Sequence, residues 1–221
     1  MSQFVNIHTH HVEHIEDVIN IVDYFTTLNE KKDNIKLFSS GIHPWFINEQ
    51  NLDVQFKLLH EISLTKNCKA IGECGLDKLK GPHIDVQKAV FEQQILLAIE
   101  LKKPIIVHCV KAFDTLSAIV KKYQKKVIFI IHGFNQNEQI AWQLLKQGVY
   151  LSFGSALLNS KNERLKNIFI EVPVRQLFLE TDQSEQSIKQ IYEAAAQIKK
   201  YDVNTMKEII FANYKTVFKH E

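Results

Sequence analysis

The chain has 221 residues, of which 45% are apolar and 24% charged, and its formal net charge is +2. No apolar stretch reaches the roughly 18 residues of a membrane span. Three cysteines without scaffold spacing exclude a disulfide-stabilised domain and indicate a reducing compartment. The small net charge neither requires nor excludes nucleic acid as a partner.

The N-terminal segment MSQFVNIHTH has neither a basic start nor a cleavable apolar core. We therefore expect no removed leader, no membrane partner and a cytoplasmic location. Only two of the 27 basic residues are arginines, Arg164 and Arg175. Because guanidinium groups are the usual bidentate readers of phosphate, this bias argues against sequence-specific DNA recognition. Without a linker, repeat or low-complexity tract, residues 1–221 are expected to form a single domain.

Apolar strands alternate with amphipathic helical patterns along the chain, which predicts a parallel α/β sheet. Helical spacing of apolar residues recurs at 52–59, 91–99, 113–120, 140–145, 188–195 and 206–210. The predicted strands lie near residues 3–8, 37–42, 69–74, 104–109, 127–132, 148–153 and 176–181.

A closed barrel requires an eighth strand, and the candidate is VINIVDYF at 18–25. Its alternation permits a strand, although Ile15, Val18, Ile19 and Val22 also fit a helical stripe. We favour the strand, because only about ten residues then separate it from each neighbouring strand. The sequence thus predicts an α/β fold, a distorted TIM-like (β/α)₈ barrel in which some early helices are reduced or missing.

Six potential metal ligands lie at or just past the ends of these apolar runs. The last residue of a strand can point into the mouth of a barrel, where the catalytic groups of such enzymes gather. Four imidazoles and two carboxylates, with no thiolate, suit zinc, manganese, iron or nickel better than calcium. The six residues are His8, His10, Glu73, His108, His132 and Asp182.

Each of these residues also has a simpler explanation. A lone histidine at a strand end is more often an ordinary hydrogen-bonding group, and Asp182 would also cap a following helix. His8 and His10 are harder to explain in this way, since alternate strand positions share a face and both can reach one ion. Asn6 lies on that face too. Because the simpler explanation has to hold six times independently, the set indicates a metal-dependent enzyme.

These motifs, in this order, resemble the TatD family of metal-dependent hydrolases, within the wider group of amidohydrolase-like barrels. The resemblance runs nearly from end to end, and GIHP, IGE-GLD and LETD together make it highly specific. The motifs that carry it are HTH at 8–10, GIHPW at 41–45, AIGECGLD at 70–77, FEQQILLAIELKKPIIVHC at 91–109, IHGF at 131–134, YLSFGS at 150–155 and LETD at 179–182.

The resemblance implies a binuclear metal site in the barrel. The cofactors would be two divalent ions, and the ligand types do not determine whether the metal is Zn, Mg or Mn. A bridging carboxylate would keep the two ions roughly 3.5–4 Å apart, where they clamp the attacking and leaving oxygens. The implied ligand sets are His8, His10 and Asp182 for one ion, His108 and His132 for the other, and Glu73 as the bridge.

Several positions depart from the usual family pattern. Asn6 stands where the family often has Asp, and its amide is expected to orient a metal ligand. KLK at 78–80 follows GLD in place of aromatic residues, and the region between 11 and 36 is short. Val110 occupies the place of a phosphate-contacting Arg, for which the neighbouring Lys111 is a candidate replacement. These changes spare the metal ligands and alter the rim that meets substrate, so hydrolase is better supported than nuclease.

The catalytic residues are predicted to be Asp182 and Glu73. A metal-bound water has a pKa near 7, and Asp182 is the expected general base that holds this water and accepts its proton. Lys111, His43 and Trp45 are the predicted substrate contacts. The resemblance implies that His43 contacts a phosphate, although it would also stabilise a turn, and Trp45 would either stack on a base or cover the rim.

Glu180 shares a strand face with Asp182 if the strand is regular. It is expected either to orient a histidine or water near the metals, or to be a plain buried hydrogen-bonding group.

The predicted function is divalent-metal-dependent hydrolysis of phosphodiesters, and the resemblance implies a deoxyribonuclease, for example a 3′→5′ exonuclease on single-stranded DNA. One alternative is an amide, ester or lactone hydrolase that uses the same site. The other is a non-catalytic metal-binding module. DNA or another phosphoester is the expected substrate partner, and a barrel of this kind is expected to act as a monomer.

Overall fold

In the computed structural model, eight parallel strands are hydrogen-bonded to one another in the order of the sequence. The structure describes residues 2–11, 17–25 and 35–218. Ile15, part of the alternative helical stripe, and most of the short region between 11 and 36 lie outside these ranges. The strands are β1 (Phe4–Thr9), β2 (Val18–Asp23), β3 (Phe38–Ser40), β4 (Cys68–Asp77), β5 (Ile105–Val110), β6 (Phe129–Ile131), β7 (Tyr150–Phe153) and β8 (Leu177–Leu179).

Helices connect the later strands, as parallel pairing requires. Their apolar faces pack on the outside of the barrel, where residues such as Phe91, Leu116 and Leu144 are buried in the same core as the strands. The α-helices are α1 (Leu52–Ser63), α2 (Ile84–Glu100), α3 (Phe113–Tyr123), α4 (Glu138–Lys146), α5 (Glu163–Glu171), α6 (Ile188–Lys199) and α7 (Val203–Phe218).

The barrel closes where β8 returns to β1. Thr9 and Asp182 form a parallel bridge just past the end of β8. The Asp182 backbone N–H donates to the His8 carbonyl at 3.0 Å, and the His10 N–H donates to the Asp182 carbonyl at 3.1 Å. On the outer side, the Tyr192 hydroxyl of α6 bonds both the N–H and the carbonyl of Val5, each at 3.0 Å. This closure, here called the seam, places three of the predicted metal ligands next to one another.

Asn6 fastens the seam from within the sheet. Its side-chain oxygen accepts from the Thr181 N–H at 2.9 Å, and its amide nitrogen donates to the Thr181 hydroxyl at 2.8 Å. The same nitrogen lies 3.4 Å from the Asn20 side-chain oxygen of β2. We expected Asn6 to orient a metal ligand. Its described hydrogen bonds join strands instead, and a buried Asp would lack the donor that they use.

The barrel prediction is confirmed, including the strand at 18–25, which is β2. Among the described residues the first α-helix begins only at Leu52, in agreement with reduced early helices. The sequence analysis missed α5, a nine-residue helix. Within the described ranges, no helix combines the length and the apolar character needed to traverse a bilayer.

Candidate metal centre

The predicted ligands all lie at the carboxyl-terminal mouth of the barrel. Parallel strands present their last residues at this edge, so groups far apart in sequence meet there. They come from the end of β1 and the next residue, the middle of β4, the second half of β5, and the residues that follow β6 and β8. In that order they are His8, His10, Glu73, His108, His132 and Asp182.

Glu73 is the centre of the cluster, because its two carboxylate oxygens contact five imidazoles. The Glu73 carboxylate is buried. Burial of a charged group costs free energy unless hydrogen bonds and opposite charges compensate for the lost water. The distances from Oε1 are 2.7 Å to His108 Nδ1, 2.8 Å to His132 Nε2 and 3.1 Å to His43 Nε2, and those from Oε2 are 3.3 Å to His8 Nε2 and 3.6 Å to His10 Nε2.

Asp182 completes the cluster from the seam side. Its Oδ1 lies 3.2 Å from His10 Nε2 and 3.6 Å from His8 Nε2. Its backbone has a φ of +54°, a left-handed conformation that Asp tolerates better than most residues. The side chain is 40% exposed, whereas those of His8 and Glu73 are nearly inaccessible. Asp182 is therefore the carboxylate of the pair that can meet a water from the cavity.

The donor set fits divalent metal ions. Three groups of side chains have ligand atoms within 4.8 Å of one another, and each group consists of two imidazoles and one carboxylate. Both ring nitrogens of His8 are buried, and neither makes a hydrogen bond within the described part of the chain. A buried imidazole without hydrogen bonds is costly in a protein, and metal ligation would satisfy it. The groups are His8, His132 and Asp182; His8, His10 and Glu73; and His43, Glu73 and His108.

His43 is better suited to donate a hydrogen bond than to ligate a metal. Its Nδ1 accepts from the Trp45 backbone N–H at 3.1 Å. A neutral imidazole that accepts at Nδ1 carries its proton on Nε2, and this nitrogen faces Glu73 Oε1. Burial lowers the pKa of His43, which its contact with Glu73 only partly offsets, so the neutral form is favoured. His43 thus presents an N–H at the site.

A carboxylate and an indole orient His108. Asp77 Oδ2 lies 3.3 Å from His108 Nε2 and accepts from Trp45 Nε1 at 2.6 Å. The other oxygen of Asp77 accepts the backbone N–H groups of Leu79 and Lys80. When the Nε2–H of His108 donates a hydrogen bond to Asp77, the other ring nitrogen, Nδ1, has its lone pair free. This lone pair faces Glu73 and His132, where a metal would bind.

Glu180 supports His132 in a similar way. It is fully buried, and its Oε1 lies 3.5 Å from His132 Nδ1. The same oxygen accepts from the Gly133 N–H at 2.6 Å, and Oε2 accepts from the Ser152 hydroxyl. Glu180 is therefore a buried hydrogen-bonding group, as one of the two expectations had it, and it lies beside a candidate metal ligand.

The sequence analysis missed Asp77 and Asp23. Asp23 is buried at the end of β2, and its Oδ2 accepts from the Glu73 backbone N–H at 2.9 Å. Asp23 ends the apolar run VINIVD by the same rule that selected the six ligands, and Asp77 closes the IGECGLD motif. The signal was therefore present in the sequence for both residues.

The cluster strongly shifts the pKa values of its members. Burial opposes ionisation of Glu73, but charge and hydrogen bonds from His132, His10 and His108 outweigh it and hold its pKa well below the usual range. Burial likewise opposes protonation of His10, yet its bonds to Asp182 and Glu73 raise its pKa to about 10. The pKa of His132 is also raised well above its usual value, because Glu73 and Glu180 outweigh burial.

We expect metal binding to release protons at pH 7. The raised pKa values of His10 and His132 favour the imidazolium form in the metal-free protein, with a proton on each ring nitrogen. A metal ligand must be neutral imidazole, so one proton leaves each ring. Affinity should therefore rise with pH, about tenfold per pH unit for each proton displaced. Isothermal titration calorimetry in buffers of different ionisation enthalpy counts the protons, and we expect up to about two.

The metal-free protein should show the opposite dependence in its stability. A raised pKa of His10 contributes stability that is complete below about pH 6.5 and is lost as pH rises through about 10. Urea unfolding of metal-free protein between these pH values measures this loss. Binding enthalpies independent of the buffer, together with a flat stability profile, would contradict the protonated state of the cluster.

A cavity of about 610 Å³ opens over the cluster. His43 and Trp45 line it, as predicted for substrate contacts, together with Glu73 and Asp182. Lys111 is exposed and is not among the lining residues, so the structure does not bring it to the other predicted contacts. The remaining lining side chains are His10, His108, His132, Phe25, Ile42, Phe46, Gln55, Leu58 and Gln183.

Comparison with known proteins shows the family to which this chain is similar. The profile of the TatD related DNase family matches residues 4–219. An uncharacterized metal-dependent hydrolase of Buchnera aphidicola is 27% identical over 233 residues, which cover 94% of this chain and 87% of that protein. The 3′-5′ ssDNA/RNA exonuclease TatD of Pantoea ananatis is 28% identical over 147 residues, which cover 65% of this chain and only 56% of that protein.

Among solved structures, the TatD homologue YjjV of Escherichia coli superposes with a TM-score of 0.83. The superposition covers 99% of this chain and 98% of that one, at 19% sequence identity. This likeness establishes the shared barrel fold.

Proposed function

This chain belongs to the TatD related DNase family of metal-dependent hydrolases, and on that premise we propose that it hydrolyses phosphodiester bonds, with the 3′ end of single-stranded DNA as its substrate. The observation that carries the proposal is the convergence of four ligand imidazoles and two carboxylates beneath one open cavity. The name of the Pantoea ananatis relative supports the choice of phosphodiester and of strand polarity.

We assign the metal-holding role to the six predicted ligands. His8, His10 and Asp182 form the half of the site at the seam, and His108 and His132 form the other half, with Glu73 between them. Divalent ions bound there would supply Lewis acidity, for the activation of water and for the stabilisation of negative charge on a phosphoryl oxygen.

The protein side chains supply proton transfer and orientation. Burial would raise the pKa of Asp182, but His10, His132 and His8 outweigh it and lower the pKa, so this carboxylate is ionised at neutral pH and can accept a proton from the attacking water. The Nε2–H of His43 is directed into the cluster, where it would donate to an oxygen of the substrate phosphate. Asp77 and Glu180 keep His108 and His132 in their orientations.

The experiment that tests this proposal is hydrolysis of 5′-labelled single-stranded DNA with added Mg²⁺, Mn²⁺ or Zn²⁺. We expect the wild-type protein to shorten the strand stepwise from its 3′ end. Asp182→Asn should lower the rate by about 10²- to 10⁴-fold, because the amide cannot accept the proton. Asp114→Asn is the matched control, since Asp114 is exposed and pairs with Lys78 outside the cavity.

Metal content, measured on each variant, separates loss of the base from loss of an ion. If wild-type protein with bound metal leaves DNA intact but hydrolyses aryl esters, amides or lactones, the phosphodiesterase proposal is wrong. If it turns over none of these substrates, the non-catalytic alternative is favoured. Full activity in Asp182→Asn would remove Asp182 as the base.

A further inference from the structure

An apolar surface borders the metal cluster. The described residues include ten exposed large apolar side chains, and three of them line this one cavity: Phe25, Phe46 and Leu58. We call these three residues the apolar shelf. Single exposed apolar side chains are common on protein surfaces, but several around one cavity mark a binding surface.

Phe46 is the most exposed member, at 55%, yet its backbone is fixed. Its N–H donates to the His43 carbonyl at 2.9 Å, and its carbonyl accepts from Gln55 Nε2 at 2.8 Å. Gln55 is held in turn, because its side-chain oxygen accepts from the Asn48 N–H at 2.9 Å. A ring presented on a fixed backbone loses little entropy when it binds a ligand.

Trp45, the aromatic residue that the sequence suggested for base stacking, is already engaged. Lys80 Nζ lies 3.7 Å from the centroid of its ring, and its indole N–H donates to Asp77. The ring meets those of His43 and His108 edge to face. Trp45 therefore supports the histidines of the site. Phe46, whose ring centroid lies 5.6 Å from that of His43, is the more exposed of the two phenylalanines that line the cavity, at 55% against 38% for Phe25.

The charge of the cavity limits what the shelf can bind. None of its described lining side chains is Lys or Arg. Proteins that hold a nucleic acid strand along its backbone do so through cationic grooves, with strong salt dependence. The cavity volume of about 610 Å³ is that of a small-molecule site. The lining therefore suits one flat, apolar group beside the scissile bond better than a run of phosphates.

We propose that the apolar shelf binds the nucleobase of the terminal nucleotide, with Phe46 as the stacking residue. The enzyme then recognises a strand end by its last base, and the phosphates further along the strand contribute little. This inference rests on the proposed phosphodiesterase function. It assigns a specificity role to Phe46 and makes no change to the metal-holding residues.

The test compares two labelled single strands that differ only in the 3′-terminal residue, which carries a base in one and is abasic in the other. Each is hydrolysed by wild-type protein, Phe46→Leu, Phe46→Trp and Tyr201→Leu. Tyr201 is the matched control, since it is an exposed aromatic residue outside the cavity. Unchanged melting temperature and metal content in each variant exclude a folding defect.

We expect wild-type kcat/KM to be about tenfold or more higher on the strand with a terminal base, because stacking on an aromatic ring stabilises a bound base by that order. Phe46→Leu should lose this advantage, so its kcat/KM should be about the same on the two strands. Phe46→Trp should keep the advantage, and Tyr201→Leu should match wild type on both strands.

Salt dependence gives a second readout. We expect log kcat/KM to fall with log salt concentration with a slope no steeper than about −1, as for roughly one phosphate contact on a single strand. A slope near −3, or equal losses on both strands in Phe46→Leu, would overturn the inference while leaving phosphodiester hydrolysis intact. Absence of cleavage of any nucleic acid would overturn the proposed function itself.

Discussion

Glu73→Gln is expected to lower the hydrolysis rate by at least about 10³-fold and to reduce metal content at the same time. The carboxylate contacts five imidazoles, and these come from both halves of the cluster. Gln keeps the shape but lacks the charge, and one end of its amide is a donor that would face imidazole N–H groups or a metal. Loss of the ions would also abolish the lowering of the pKa of water that bound divalent ions supply.

Steady-state rates and metal analysis of the purified variant measure both effects. Glu92→Gln is the matched control, because Glu92 accepts from Lys122 and Tyr123 on the outer surface of the barrel and lies outside the cavity. We expect Glu92→Gln to retain wild-type metal content and rate. Glu73→Gln with full metal content and a rate within tenfold of wild type would rule out a bridging role for Glu73.

Gly75→Ala is expected to destabilise the fold by about 4 kcal/mol. The substitution tests whether β4 and β5 approach too closely at this position to leave room for a side chain. Gly75 has a φ of +146°, and a Cβ at this position would lie 2.0 Å from the carbonyl oxygen of His108. The neighbouring atom is backbone, so a side-chain rotation cannot relieve the clash. For a chain of this length the lowered stability corresponds to a drop of roughly 8–16 °C in Tm.

Gly148→Ala provides the control for backbone conformation alone. Gly148 has a φ of +81°, but no atom lies within 4 Å of the position of its added Cβ. We expect this variant to lose only about 1 kcal/mol. Thermal unfolding followed by circular dichroism compares the two variants. Equal losses in Tm would show that strain in φ, rather than contact with His108, is what makes glycine necessary at position 75.

Most strands of the barrel could be predicted because they lie in apolar runs long enough to be buried. The strand β2 was predicted instead from its alternation and from the need for an eighth strand. The two ends of β3 show the limit of this method: the apolar run suggested residues 37–42, whereas the hydrogen-bonded strand is Phe38–Ser40. The helix α5 was missed because it buries only Leu165, Ile168 and Phe169. Three buried apolar residues in nine give about one period of helical spacing, which does not distinguish a helix from a loop.

The candidate ligands could be predicted because parallel strands bring their ends together whatever the intervening sequence. The supporting contacts could not. Asp77 reaches His108 and Trp45 across 31 and 32 positions of the chain, and such pairings follow from side-chain directions that the spacing of motifs does not contain. For the same reason the sequence left open whether Trp45 stacks on a base or covers the rim, and it did not single out Phe46, whose side chain is 55% exposed.

The seam between β1 and β8 joins segments that lie far apart in the sequence. Asn6 and Thr181 are 175 positions apart, so their hydrogen bonds form only after the strands between them have been synthesised. The contacts of His8 and His10 with Asp182 join residues that are separated by a similar length of chain. Contacts of such long range form late, because the entropy of closing the loop must first be overcome. Closure of the barrel therefore also completes the seam half of the ligand set, and a metal ion bound by His8, His10 and Asp182 would favour the closed barrel by linking segments that are distant in the sequence.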